Sequence, residues 1–157
     1  MSNSLTRYRA AQRAARELFA PFTAAHCPTC ETPCCVRPAR VRPVDVVLVE
    51  ELGYRLPPAP LAELVAAPLA GGEGPPEPCG YLGPDGCRFP ADLRPFGCTM
   101  FICEPMRRAL PPEELAEIRA ALRRLEAAHA ALMDALHAPA EHDSADRPQE
   151  GRENRPQ

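Results

Sequence analysis

The sequence contains no tryptophan and no lysine, so all 18 of its basic residues are arginines. Aromatic residues make up only 5% of the chain. Leucine, isoleucine, valine and phenylalanine together supply about a fifth, near the level below which a chain struggles to bury a core. Alanine provides much of the remaining hydrophobic content but buries little area. A small domain of this composition usually needs a disulfide or a metal ion to stabilise it.

Long apolar runs are also lacking. No stretch reaches the roughly 18 apolar residues that would predict a membrane-spanning helix. Charged side chains interrupt every apolar window of residues 1–25, so we expect no secretory leader. The chain is therefore expected in the cytoplasm, where thiols stay reduced. Clustered cysteines there are typical of metal-binding or redox-active sites rather than of a disulfide framework.

The net charge of −3 lacks the positive excess of proteins that bind nucleic acids through the phosphate backbone. Three arginines, Arg9, Arg13 and Arg16, share one face of a predicted helix. We interpret this face as a solvated one rather than as a phosphate-binding stripe. Neither a nucleic acid nor a membrane is expected as a partner.

Cysteine and proline are abundant, at 8 and 21 residues. Thiolates are soft anionic ligands that suit zinc and iron–sulfur clusters, and loops shaped by proline and glycine let several sulfur atoms converge. The sequence therefore predicts a metal-binding domain over residues 1–138. All eight thiols are candidate ligands: Cys27, Cys30, Cys34 and Cys35 within nine residues, then Cys79, Cys87, Cys98 and Cys103.

The cysteine spacing distinguishes between kinds of metal site. Zinc ribbons pair two Cys-x2-Cys knuckles, whereas this chain has one, at Cys27 and Cys30. The run Cys-x2-Cys-x3-Cys that ends at Cys34 is nearer to loops that wrap an iron–sulfur cluster. We favour an iron–sulfur cluster narrowly and keep zinc as the alternative. His26 is either an additional ligand or, as we prefer, an exposed imidazole.

Eight thiolates could fill two four-cysteine sites, or one cluster could leave several thiols spare. Both arrangements stay open. The nearby arginines Arg37, Arg88 and Arg94 could offset part of the negative charge that thiolates bring together.

The order of these motifs resembles the bacterial YkgJ-type cysteine-cluster family, also described as the CxxCxxCC zinc- or iron-chelating domain. The resemblance covers residues 27–103. Its most specific parts are the double cysteine Cys34-Cys35 and the Arg94-Pro95-x-x-Cys98 step before Cys103. This chain has three residues rather than two before the double cysteine. With this additional residue, the resemblance leaves open which of the two thiols, Cys34 or Cys35, corresponds to the family's ligand. The resemblance implies a chelated metal in a small, mostly helical domain and no settled reaction.

The apolar periodicity predicts a first helix from about Leu5 to Ala20, capped by Ser4, with Pro21 either ending it or starting a last loose turn. A second helix is predicted over residues 44–52, because Pro43 and Gly53 punctuate it as a helix start and end. Its apolar residues at positions 44, 47, 48 and 52 fall on one helical face, which favours a helix over a strand.

The last predicted helix runs from Pro111 or Pro112 to about His137. Its apolar positions recur in steps of three and four and form a narrow seam that suits one partner helix. His129 occupies one seam position and is interpreted as a core histidine. We prefer the first helix as the partner over a second copy of the chain. The seam residues are Leu115, Ile118, Leu122, Leu125, Leu132 and Leu136.

Between these helices we expect a short helix at residues 61–67, a Gly/Pro linker at 70–78 and a small turn or hairpin at 79–87. Residues 139–157 are polar and charged, and we expect them to be disordered. The predicted fold class is thus mainly α, with long irregular cysteine-rich loops and a long C-terminal helix.

The favoured function is that of a metal-binding protein in storage, delivery, docking to a partner protein or redox chemistry. Two alternatives stay open: an iron–sulfur enzyme or electron carrier, and a purely structural zinc domain. No catalytic residues are assigned, because no nucleophile and base lie together in the sequence. The oligomeric state is left open.

Overall fold

The computed structural model describes residues 2–30, 41–57, 79–83 and 86–138. The fold is mainly helical, as predicted, and the longest elements are the first and last helices. In chain order the elements are α1 (Ser2–His26), a 3-10 turn (Cys27–Thr29), α2 (Pro43–Glu51), β1 (Leu82–Gly83), β2 (Gly86–Cys87), a second 3-10 turn (Ala91–Leu93), α3 (Phe96–Thr99), α4 (Glu104–Ala109) and α5 (Pro112–His137).

Helices α1 and α5 pack along their length, which confirms the predicted intramolecular pairing and the predicted bounds of the last helix. Their apolar stripes bury each other because residues three and four apart fall on one helical face. Leu136 is the exception among the seam residues, since 38% of it is exposed. The buried residues of this helix core are Tyr8, Ala15, Phe19, Phe22, Met106, Ile118, Ala121, Leu122, Leu125, Ala128 and Leu132.

The predicted bounds of the first helix were wrong at both ends. The helix already includes Ser2, so Ser4 lies inside it and does not cap it, and it continues through Pro21 to His26. A proline inside a helix removes one backbone hydrogen bond and costs about 3 kcal/mol relative to alanine. Burial of Phe19 and Phe22 in the helix core outweighs this cost and keeps the last turns helical.

The second helix has the predicted punctuation, with Pro43 in its first turn and Gly53 in the left-handed region (φ 83°) just beyond its end. On the apolar face Val44, Leu48 and Leu52 are half-buried, whereas 55% of Val47 is exposed. Asp45 and Val49 are buried. The Asp45 carboxylate accepts backbone N–H groups from two segments.

Strands β1 and β2 form the predicted hairpin, with Leu82 opposite Cys87 and Gly83 opposite Gly86. Beside it, Tyr81 and Phe89 meet edge to face with ring centroids 5.0 Å apart. These rings belong to a second core, the hairpin core, which α2 covers. The buried residues of the hairpin core are Val41, Val49, Tyr81, Phe89 and Leu93.

Three of the sequence predictions lie outside the described residues. They are the short helix at 61–67, the linker at 70–78 and the disordered tail at 139–157.

Candidate functional site

The first two candidate ligands, Cys27 and Cys30, lie in the 3-10 turn that follows α1 directly. Pro28 stands in the first turn, where its fixed φ suits a helix start. The Cys30 backbone N–H donates to the Cys27 carbonyl oxygen over 3.3 Å, which closes the turn. Cys27 is exposed and Cys30 is half-buried. The turn thus holds two thiol-bearing residues at the end of a long, buried helix.

His26 precedes this turn and packs back onto α1. Its ring stacks on Phe22 with centroids 4.1 Å apart and an angle of 6° between the planes. Its Nδ1 lies 3.1 Å from the Phe22 carbonyl oxygen, so a protonated Nδ1 donates there. The residue is exposed, which agrees with the exposed imidazole that we preferred over a ligand.

Cys79 and Cys87 flank the hairpin and are both half-buried against the hairpin core. The Cys79 carbonyl oxygen accepts the Leu82 backbone N–H at 2.8 Å, so the start of the hairpin is fixed. Val41 is buried in the same core. Cys30 and Val41 bracket residues 31–40, which include Cys34 and Cys35 and lie outside the described residues. The chain that leaves the first cysteine pair therefore returns beside the second one.

Positive charge lies close to Cys87. Burial lowers the pKa of Arg16, repulsion by Arg94 lowers it further, and a negative charge on Cys87 acts in the opposite direction. Arg16 from α1 is therefore within electrostatic reach of both Arg94 and Cys87.

The remaining two candidates lie at short helices. Cys98 is exposed on α3, and Cys103 occupies the N-cap position of α4 and packs against the helix core. The position of α3 is fixed by Asp45, whose carboxylate accepts the Phe96 backbone N–H at 3.3 Å. This hydrogen bond links α2 to the segment that presents Cys98.

An ion-pair clamp holds the segment between the hairpin and α3 against α1. The Asp92 carboxylate lies 2.7 Å from Arg9 Nη2 and 3.0 Å from Arg13 Nη1. The expectation of a solvated arginine face on α1 is confirmed for Arg13, which is exposed although it pairs with Asp92, and was wrong for Arg9 and Arg16, which are half-buried. The sequence analysis did not identify Asp92 as a partner of these arginines. The usable signal was the presence of three arginines on one helical face, which an acidic residue elsewhere in the chain could pair with.

Gln12 completes the contact between α1 and the same segment. Its buried amide nitrogen donates to the Arg94 carbonyl oxygen at 2.7 Å and to the Tyr8 hydroxyl at 2.9 Å. Burial raises the pKa of Tyr8 to about 12, so that hydroxyl stays protonated. The Arg94-Pro95 step is thus attached to α1 through its backbone.

The described geometry places the candidate ligands at the ends of elements but does not complete a metal site. All six described cysteines are thiols rather than disulfides. Within residues 2–30, 41–57, 79–83 and 86–138, no three Cys, His, Asp or Glu side chains are close enough to hold an ion together. Cys34 and Cys35, the other two predicted ligands, lie outside these ranges.

No helix in the part of the chain that the structure describes has the length and apolar character to cross a membrane. Comparisons of the chain with protein-family models, with curated proteins and with solved structures returned no match.

Proposed function

We propose that this protein binds a metal through clustered cysteine thiolates, as the resemblance to the YkgJ-type family implies. The single Cys-x2-Cys knuckle and the all-thiol ligand set narrowly favour an iron–sulfur cluster over zinc. The observation that supports this most is the placement of four thiols, Cys27, Cys30, Cys34 and Cys35, within nine residues. A hydrophobic core has no use for four thiols at that spacing, whereas metal sites commonly take ligands from such a loop.

Two features of the described geometry support the proposal. The chain leaves the first cysteine pair at Cys30 and is buried again at Val41, in the same core that Cys79 and Cys87 contact. Arg16 lies within electrostatic reach of Cys87. Clustered thiolates repel each other, and guanidinium groups beside them reduce that cost.

The proposed role is storage, delivery, redox chemistry or docking of the metal to a partner protein in the cytoplasm. A reducing compartment keeps the thiols available as ligands. The full ligand set draws on Cys34 or Cys35, because the described thiols by themselves form no group of three.

The first test is elemental analysis with an absorption spectrum on full-length protein purified without oxygen. Iron and sulfide in similar amounts, with broad visible absorption, would support the iron–sulfur proposal. Zinc in a colourless protein would replace it with the structural or trafficking zinc alternative. Protein that contains neither metal, and that takes up neither when reconstituted under reducing conditions, would contradict chelation altogether.

The second test identifies the ligands. We expect Cys30→Ser to lower the metal content per chain and the melting temperature, since a hydroxyl is a poor ligand for a soft metal. Thr29→Ser lies in the same turn and is the matched control, with metal content unchanged. Cys34→Ser and Cys35→Ser, measured separately, show which thiol of the pair is a ligand. Unchanged metal content in every single cysteine variant would refute the proposal.

A further inference from the structure

A cleft of about 530 Å³ opens between the segment that follows α2 and the hairpin. This volume is within the range of sites that bind small molecules. One wall consists of Arg55, Leu56 and Pro57, and the other of Gly80, Leu82 and Arg88. None of the six cysteines that the structure describes lines the cleft.

Both walls are attached to the same hairpin core, so the cleft is formed before any ligand binds. On one side Leu56 packs against this core, while its neighbours Arg55 and Pro57 are exposed. On the other side Tyr81 is buried in the core and the next residue, Leu82, faces outward. Alternation of inward and outward side chains along extended backbone explains both patterns.

The Arg88 side chain is held across the hairpin. Its backbone N–H donates to the Tyr81 carbonyl oxygen at 2.9 Å. Its guanidinium lies so close to Gly83 that a Cβ atom built there would overlap the Arg88 side chain. Glycine at position 83 therefore allows the guanidinium to lie over β1, at the edge of the cleft.

The charge in the cleft is unbalanced. The ion pairs of the described chain involve Arg9, Arg13, Arg107 and Arg108, whereas Arg55 and Arg88 have no acidic partner among the described residues. The described lining also contains no aspartate or glutamate. Among the described residues, these two guanidinium groups share one cleft with no carboxylate in its lining, so their hydrogen-bond donors are available to an anionic ligand.

We propose that this cleft binds a small molecule with an oxyanion group, a phosphate or a carboxylate, attached to an apolar part. The guanidinium groups of Arg55 and Arg88 match the paired oxygens of such an anion. The apolar part would lie against Leu56, Pro57 and Leu82. This binding site goes beyond the proposed metal function and does not depend on it.

Isothermal titration calorimetry on the full chain as purified, at low ionic strength, tests the assignment. The probes are phenyl phosphate, benzoate and inorganic phosphate. We expect phenyl phosphate or benzoate to bind more tightly than inorganic phosphate, because only they fill the apolar side, and comparison of these two identifies the preferred anion. Equal affinity for phenyl phosphate and inorganic phosphate would overturn the apolar half of the assignment, and no heat from any probe at millimolar concentration would overturn all of it.

Variants locate the binding. Arg55→Gln and Arg88→Gln should each weaken the tighter probe by about tenfold, because each removes a charge-assisted contact. Gly83→Ala should weaken it as well by displacing the Arg88 guanidinium. Arg119→Gln, at an exposed position of α5, is the matched control. The same affinity in all four variants would overturn the assignment of the cleft as the binding site. Metal content is measured on the same samples, so that a failure of the cleft proposal can be distinguished from a failure of the metal proposal.

Discussion

The Asp45 carboxylate accepts the backbone N–H of Phe96, 51 residues further along the chain, at 3.3 Å on one oxygen. Its other oxygen accepts the Arg42 backbone N–H at 2.8 Å. One carboxylate thus satisfies donors at the first turns of both α2 and α3. Unsatisfied donors at helix starts are costly, which explains why an aspartate is buried at this position.

Replacement of Asp45 by alanine should therefore lower the free energy of unfolding by about 2 kcal/mol, since two N–H groups lose their acceptor. Urea unfolding followed by circular dichroism measures the change. Glu50→Ala, at an exposed position on the same helix, is the control and should shift stability by less than about 0.5 kcal/mol. Equal effects of the two substitutions would show that the double contact contributes nothing.

The Asp92 clamp should give a pH-dependent contribution to stability. Partial burial by itself would raise the pKa of Asp92, but the hydrogen bond from Arg9 and the charges of Arg9 and Arg13 outweigh it and hold this pKa below the ordinary value of 3.8. A carboxylate whose pKa is lower in the folded state than in the unfolded state stabilises the fold at pH values above its unfolded-state pKa. This stabilisation is lost as the pH falls through its folded-state pKa.

We expect Asp92→Asn to lower the free energy of unfolding at pH 7 by about 1 kcal/mol, since only 15% of the Asp92 side chain is exposed. The difference from the wild type should shrink below about pH 4. Glu104→Gln, which removes exposed pairs with Arg107 and Arg108, is the control with little effect. A difference that is constant from pH 7 to pH 3 would contradict the ionic explanation.

The stacked ring of His129 should give stability a second dependence on pH, in a pH range different from that of Asp92. The ring lies 3.9 Å from Phe96 at an angle of 11°. Burial lowers the pKa of His129 from 6.5, and the charge of Arg42 lowers it further. The folded state thus prefers the neutral ring, so its contribution is complete above pH 6.5 and declines as the pH falls towards the lower folded value.

His129→Leu should therefore flatten the fall in melting temperature between pH 7.5 and about pH 5. His137→Leu, at the exposed end of α5, is the matched control and should keep the wild-type profile. Thermal unfolding across this range measures both. Parallel profiles for His129→Leu and the wild type would contradict the assignment.

Within the helix core, the free energy of unfolding that is lost when a side chain is truncated to alanine should increase with the burial of that side chain. Leu125 is fully buried, so Leu125→Ala should lower the free energy of unfolding by about 3 kcal/mol. Leu136→Ala changes the same residue type in the same helix, with 38% of the leucine exposed. We expect it to cost less than about 1 kcal/mol. Similar losses in urea unfolding would mean that α5 does not pack on α1 as described.

Local signals were sufficient to predict α2 and α5, because proline, glycine and periodic apolar residues act over one or two turns. They predicted α1 but not its full length, since the packing that carries the helix past Pro21 comes from α5, far along the chain. They also gave no indication that Asp45 is buried, because one of its two N–H donors, Phe96, lies 51 residues further along the chain.

The candidate site could be predicted only in part for a similar reason. Cysteine identities and spacing are local and predict metal chemistry. The clamp between Arg9 and Asp92 spans 83 residues and the contact between Gln12 and Arg94 spans 82. The cleft at Arg55 and Arg88 likewise depends on which segments share a core. Such relationships are set by tertiary packing and leave no pattern within a sequence window.

Every cysteine of the chain lies between α1 and α5, the two helices that form the main core. Pairing of these helices therefore closes residues 27–111 into one large loop, with the thiols spread along it. Loop closure carries an entropy cost, and an ion held by thiols from several parts of this loop would divide it into shorter ones. If the proposed ion is bound, helix pairing and ion capture would lower each other's entropy cost, and removal of α5 would weaken ion binding without removing any ligand.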